Sequence, residues 1–431
     1  MSNKFLDIRP SNLPPNGIVS YKAGNPVITF DISEDDAAVL IGSSVRISGN
    51  LSITIDGTTT PTTTSAATGA SLAMDSRLGV FSTIDQLVLS SYQTKQTIEH
   101  IRHYNRMMSS LLPTISSNQD LIGHMDQAAL TLPSDVAQKS GVVQDGKVNA
   151  NEFCIFPPCG LLASGTNLPL DQGLTISIHL APDSAVLFSQ DGLAATTPQA
   201  QYSLSNLKLT CEIHRPQGKE LDALQSQKTK GFEYKSISSY YSTINSTNAI
   251  LNYSLGLSRV QGVFCNFIKS EYLNNLAYNS MQTIMPIKSA GGLANVNQVV
   301  FTRGGERYPQ DFNVDTNYKL DQKVEVVDPQ VSRNFLNAMI PFAGNNRMQI
   351  SPTNTNREWS VSDNKVLQGG LVWGVGQSYT TTGDDGADFS RANWGLQMDV
   401  ELTDNSPNSI FVFVHAKNTL LFGKGGVQVI S

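Results

Sequence analysis

The run Gly173-Leu174-Thr175-Ile176-Ser177-Ile178-His179-Leu180 has a counterpart in Gly395-Leu396-Gln397-Met398-Asp399-Val400-Glu401-Leu402. Both read Gly-Leu, then polar and apolar residues in strict alternation, then a closing Leu. A period of two is that of a half-buried strand. Upstream of each copy, at a similar distance, lies a stretch with helical spacing. A chain with this signature is expected to fold as one β-rich unit built twice.

Size and composition agree. A chain of 431 residues is long for one core and comfortable for two domains of roughly 200 residues each. Charged residues make up only 15%, below the usual quarter or so. Ser, Thr, Asn and Gln take their place, which suits broad uncharged surfaces that pack against neighbours. The formal net charge is −6, and neither half carries the basic excess of a protein that neutralises phosphates. Direct nucleic-acid binding is therefore not expected. Cys154, Cys159, Cys211 and Cys265 have no zinc-ligand spacing and read as four buried thiols. The start, Met1-Ser2-Asn3-Lys4-Phe5, lacks the apolar core of a signal peptide. No stretch approaches the ~20 apolar residues of a membrane span. Synthesis in a cytosol-like compartment is the expectation.

Along the chain, residues 1–26 hold Pro10, Pro14, Pro15 and Pro26 and read as an extended arm that Phe5, Leu6 and Ile8 would dock. Strands are expected from Val27, over 45–55, over 173–180 and around Leu207–Ile213, with a Thr/Ser-rich surface loop over 57–71. Ile98, Ile101, Tyr104, Met108 and Leu111 recur at helical spacing, which predicts a helix over about 93–112 ended by Pro113. Residues 216–231 are polar and read as the domain linker. The second half repeats the plan. Strands are expected at 250–257, 260–268 and 296–302, then a Gly304-Gly305 turn. A helix is expected from Asp328 and Pro329 to Pro341, followed by the 395–402 strand. Ile410-Phe411-Val412-Phe413-Val414 is apolar on both faces, as in a strand covered on both sides. The fold class is therefore all-β: two tandem eight-stranded jelly-roll sandwiches, each with a helix in a long inter-strand connection. The division is an arm at 1–26, a first jelly roll at 27–215, a linker at 216–231 and a second jelly roll at 232–431.

Candidate chemistry is sparse. His100 and His103, at i, i+3 on the expected 93–112 helix with Glu99 beside them, could hold a metal, but no third ligand accompanies them, and a solvated face is the plainer reading. Asp384, Asp385 and Asp388 form an acidic turn that lacks the twelve-residue calcium loop. Gly423-Lys424-Gly425-Gly426 is not a phosphate loop, because strands flank it and no helix follows; it reads as a hairpin turn. No Gly-x-Ser-x-Gly elbow occurs. The reading is of no enzyme, no catalytic residues, no cofactor and no metal. Trp359, Trp373 and Trp394 are the aromatic candidates for an alternative role as a receptor- or glycan-binding β-sandwich, with burial the plainer expectation for each.

Several runs carry a family resemblance. They are Gln96–Arg106, Leu168–Leu174, Asn252–Leu257 with Val263-Phe264, Phe301–Pro309 and Asn418–Phe422. In their order and duplication the chain resembles the double jelly-roll major capsid proteins of tailless icosahedral viruses, the group that includes polinton-like viruses, virophages and membrane-containing phages. The resemblance implies a homotrimer with six jelly rolls and a near-hexagonal outline that tiles an icosahedral capsid. It implies a virion location after synthesis in the host cytoplasm, and contacts with penton and minor capsid proteins. The 1–26 arm would reach a neighbour or an internal membrane.

Overall fold

The structure, a computed structural model, describes residues 4–22, 24, 26–54, 72–75, 78–115, 129, 150–165, 167–189, 201–276, 279–281, 296–308, 314–315, 337–338, 361–362, 365–366, 375–380, 386–392, 394–402, 404–423 and 426–431. Sixteen strands carry the architecture. In the first half they are β1 (Lys4–Ile8), β2 (Val27–Ile32), β3 (Arg46–Thr54), β4 (Ile84–Ser91), β5 (Thr97–Arg102), β6 (Ala150–Ile155), β7 (Leu174–Leu180) and β8 (Gln201–His214). In the second half they are β9 (Phe232–Ile244), β10 (Asn248–Tyr253), β11 (Val260–Lys269), β12 (Val296–Arg303), β13 (Glu306–Tyr308), β14 (Val375–Ser378), β15 (Leu396–Leu402) and β16 (Asn408–Gly423).

The pairings repeat. Antiparallel ladders join β1 to β8, β8 to β3 and β3 to β6. The same ladders join β9 to β16, β16 to β11 and β11 to β14. The companion sheets run β2-β7-β4-β5 and β10-β15-β12-β13. Each of these eight second-half strands thus has its equivalent eight places earlier among the sixteen, while Asp35–Ile41 and Asn167–Leu170 extend the first half's sheet and Gly426–Ile430 the second's. This is the two-sheet jelly roll, twice, and the long connections fall at equivalent places, after β5 and after β13.

The repeated sequence pattern occupies equivalent positions. Leu174 pairs with Ile32 at the end of β2, and Leu396 with Tyr253 at the end of β10. The preceding glycines sit against those strand ends. A Cβ on Gly173, at φ +62°, would lie 2.6 Å from the Ile32 carbonyl oxygen, and one on Gly395 would lie 3.1 Å from that of Tyr253. Inward residues Leu396, Met398, Val400 and Leu402 are buried and their alternates half-buried, as the period of two requires.

Several expectations differ from the structure or are filled in by it. Residues 97–102 are strand β5, paired with β4; β-branched Thr97, Ile98 and Ile101 suit a pleated surface. His103 then takes a left-handed φ of 54°, and the helix α1 starts only at Tyr104, running through Pro113 to Ile115. The linker segment contains a helix, α2 (Lys219–Lys230). It is polar nearly all round, so apolar periodicity does not announce it. Glu220 and Asp222 in its first turn and Lys228 and Lys230 in its last complement the helix dipole, and Gly231 follows at φ +88°. The N-terminal segment does not project as an arm: β1 lies along β8, with Leu6 opposite Cys211, and Val19 bridges Leu204. Cys154 is exposed rather than buried, because it alternates with inward Phe153 and Ile155 on β6. Of the helix expected from Asp328, only residues 337–338 are described, and these are helical. The 57–71 loop lies outside the described residues.

One core cluster belongs to the second sandwich alone, through Val263, Cys265, Phe267, Ile410, Val412 and Val414. The alternate residues Phe264, Ile268, Phe411 and Phe413 join instead the core of the first half. The sheet β9-β16-β11 is therefore apolar on both faces, and its outer face is where the two sandwiches meet. This accounts for the unbroken apolar run at 410–414.

Candidate functional site: the contact between the two jelly rolls

Strand β5, helix α1 and the segment after β6 supply the first sandwich's side of the contact. Phe264 and Phe413 stack with centroids 5.0 Å apart on the other side. Buried Arg106 of α1 lies over the Phe411 ring at 5.2 Å, a cation–π contact strengthened by the absence of water. Burial lowers its pKa to about 10, against the opposing pull of Asp85 and Asp75, so it stays charged at neutral pH. Asn266 of β11 donates to the Arg106 carbonyl at 2.6 Å, and Ser110 lies within hydrogen-bonding distance of the Asn266 amide oxygen.

Glu99 is the centre of this contact. One carboxylate oxygen, Oε1, accepts the amide N–H of Gly160 and that of Ile237, each at 3.0 Å. The other accepts the Leu161 N–H at 2.9 Å. Gly160 and Leu161 belong to the first half and Ile237 to β9 of the second. Tyr234 Oη, also on β9, donates to the Ile98 carbonyl at 2.9 Å, and the Arg102 N–H donates to Ser239 Oγ at 2.8 Å. Gly160 is pressed on β9 so closely that a Cβ would lie 1.5 Å from the Lys235 carbonyl oxygen. Burial pushes the Glu99 pKa up to about 7, although the three amides and the Cys159 thiol pull the other way.

The residues singled out in the sequence fall differently. Glu99, His100 and His103 do not converge. His100 Nε2 is 2.9 Å from Gln86 Oε1, whereas His103 packs on Tyr241 and Phe411, and burial lowers both histidine pKa values. Among the described residues no cluster of three or more metal-ligating side chains occurs. Asp384 and Asp385 lie outside the described residues. Asp388 accepts the N–H and hydroxyl of Ser390 at 2.9 and 2.6 Å and lies 3.4 Å from Arg391. Gly423 and Gly426 pair as the ends of a hairpin. Trp359 and Trp373 are outside the described residues, and Trp394 is half-buried with Arg303 and Arg391 over its ring at 4.6 and 4.2 Å. Beside it is a polar recess of about 350 Å³ whose lining includes Asn252, Ser254, Thr302, Arg391 and Gln397. Among the described residues no helix is long and apolar enough to cross a membrane.

The sequence reading placed Glu99 beside His100 and His103 on a helix and missed its role. The available signal was a lone Glu in the strand-favouring run Thr97–Ile101, where a charge among inward positions calls for buried partners.

No protein-family model matches the chain, and no curated protein is significantly similar to it. Solved structures are similar over its whole length. PBCV-1 VP54, as fitted into a reconstruction of the virophage Sputnik, aligns with a TM-score of 0.55 at 11% identity, covering 100% of this chain and 97% of that one. The Faustovirus major capsid protein gives 0.54 at 10% identity, covering 98% and 90%. A chain of the Sputnik virophage gives 0.50 at 11% identity, covering 100% and 88%. The fold of this chain is the double jelly roll of viral major capsid proteins.

Proposed function

We propose that the chain is a structural subunit of a virion shell and performs no catalysis. The observation that carries this reading is the pair of jelly rolls whose eight principal strands pair in the same order, packed side by side in one polypeptide. Three such chains place six similar sandwiches around an axis, which gives a near-hexagonal block suited to tiling an icosahedral capsid. In this reading residues 27–215 and 232–431 are the two building units, joined through 216–231, and β1 completes the first. The partners are further copies of the chain, then penton and minor capsid proteins. The acidic balance supports a shell that does not itself hold nucleic acid. Mass photometry tests the reading: a species near three times 46.7 kDa at micromolar concentration is expected, with hexagonal outlines in negative stain. Monomers alone would overturn it.

A second reading, a receptor- or glycan-binding sandwich, is favoured by the polar recess beside Trp394. It requires a clear hit on a glycan array that Arg391→Ala abolishes.

A further inference from the structure

Glu99 is only 3% exposed and sits where two sandwiches touch, holding amides of both. The groups that face it are the peptide N–H groups of Gly160, Leu161 and Ile237, the Cys159 thiol, and the hydroxyls of Tyr104 and Tyr234. On its own strand His100 is engaged with Gln86, and Arg102 acts on His100 and His103. On β9 and β16, burial and then Lys417 lower the Lys235 pKa, and burial and then Lys235 lower that of His415. Among the described residues no cation acts on Glu99. Cys159, Tyr104 and Tyr234 are all pushed upward by burial and stay neutral near pH 7, so none supplies a counter-charge.

We propose that Glu99 is a proton-controlled clasp between the two jelly rolls, tight as the neutral acid and loosened when the carboxyl ionises. The neutral acid retains acceptor lone pairs for all three amide donors, whereas the ion, although the same amides still donate to it, places a full charge in a dry contact with no counter-cation among the described groups acting on it. The direction follows from linkage. A folded-state value near 7 against an ordinary 4.5 means that the folded chain binds the extra proton between those limits. The contribution to stability is complete below about pH 4.5 and is lost as pH rises through about 7. Mild acid therefore firms the contact, and mild alkali slackens it.

Hydrogen exchange on the full-length wild-type chain tests this at pH 6 and pH 8.5, with protection corrected for intrinsic rate. Peptides covering Gly160–Leu161 and Ile237 are expected to lose up to about tenfold in protection at the higher pH, while peptides of β15 change little. In Glu99→Gln, which cannot ionise, that pH dependence disappears. An equal loss in Glu99→Gln, or no loss in the wild type, overturns the proposal. Because the substitution can impair folding by leaving one amide facing another donor, infrared spectra of the wild type give an independent reading. A buried protonated-carboxyl band present at pH 5.5 and gone at pH 8.5 is expected, and its absence at pH 5.5 overturns the clasp. All readouts use the unassembled chain, so they stand apart from whether it forms a shell.

Discussion

Single residues decide how closely the two sandwiches approach. Gly160 has no room for a side chain, since a Cβ would fall 1.5 Å from the Lys235 carbonyl oxygen. Gly160→Ala must therefore part the contact, and we expect a loss of roughly 3 kcal/mol or more, in the range of overpacked cores, read by urea denaturation. Phe413→Ala empties the stack with Phe264 and should cost about 3–5 kcal/mol by the same measurement. The thiols separate cleanly. Cys159 and Cys265 are buried with pKa values well above the ordinary range, and Cys211 is pushed to about 11, so each is a poor thiolate. Cys154 alone is exposed. A thiol reagent should titrate one group in the native chain and four after unfolding. The role of Glu99 was the least legible of these features. A carboxylate that accepts only backbone amides leaves no mark in sequence, because any residue except proline offers the same donor.

At the scale of elements, legibility followed periodicity. The 173–180 and 395–402 strands and the doubly covered 410–414 run could be read because side chains on each face were uniform in character. Residues 97–112 could not. Apolar residues spaced three and four apart run unbroken across a strand, a left-handed His103 and a helix, and spacing alone does not show the break. Helix α2 was hidden for the opposite reason: Leu224 is its one buried residue, so no stripe exists to find. The N-terminal segment read as an extended arm docked through Phe5, Leu6 and Ile8, but only the structure shows where: Lys4–Ile8 pairs along β8 for five residues. Deleting residues 1–9 would leave that side of β8 without its partner, an unprotected edge of the kind that pairs with other chains. We expect a lower melting temperature and concentration-dependent aggregation, checked by thermal scanning with light scattering.

For the whole molecule, the duplication visible in eight residues extends to the order of the eight principal strands in each half, and this much of the fold was legible from repetition. The unequal use of the two copies was not. Outward positions of β8 are polar, and Asp7 of β1 pairs there with Lys208 at 3.1 Å and Thr210 at 2.9 Å. The equivalent wall of the second copy carries Phe264, Phe411 and Phe413. That asymmetry has a historical corollary. A solitary ancestor of the second sandwich with today's residues would have shown water a sheet of aromatic rings and come out of solution. The aromatic wall stays dry only while the first sandwich covers it, and a chain cut within 216–231 is expected to show Phe264, Phe411 and Phe413 to water wherever the halves part.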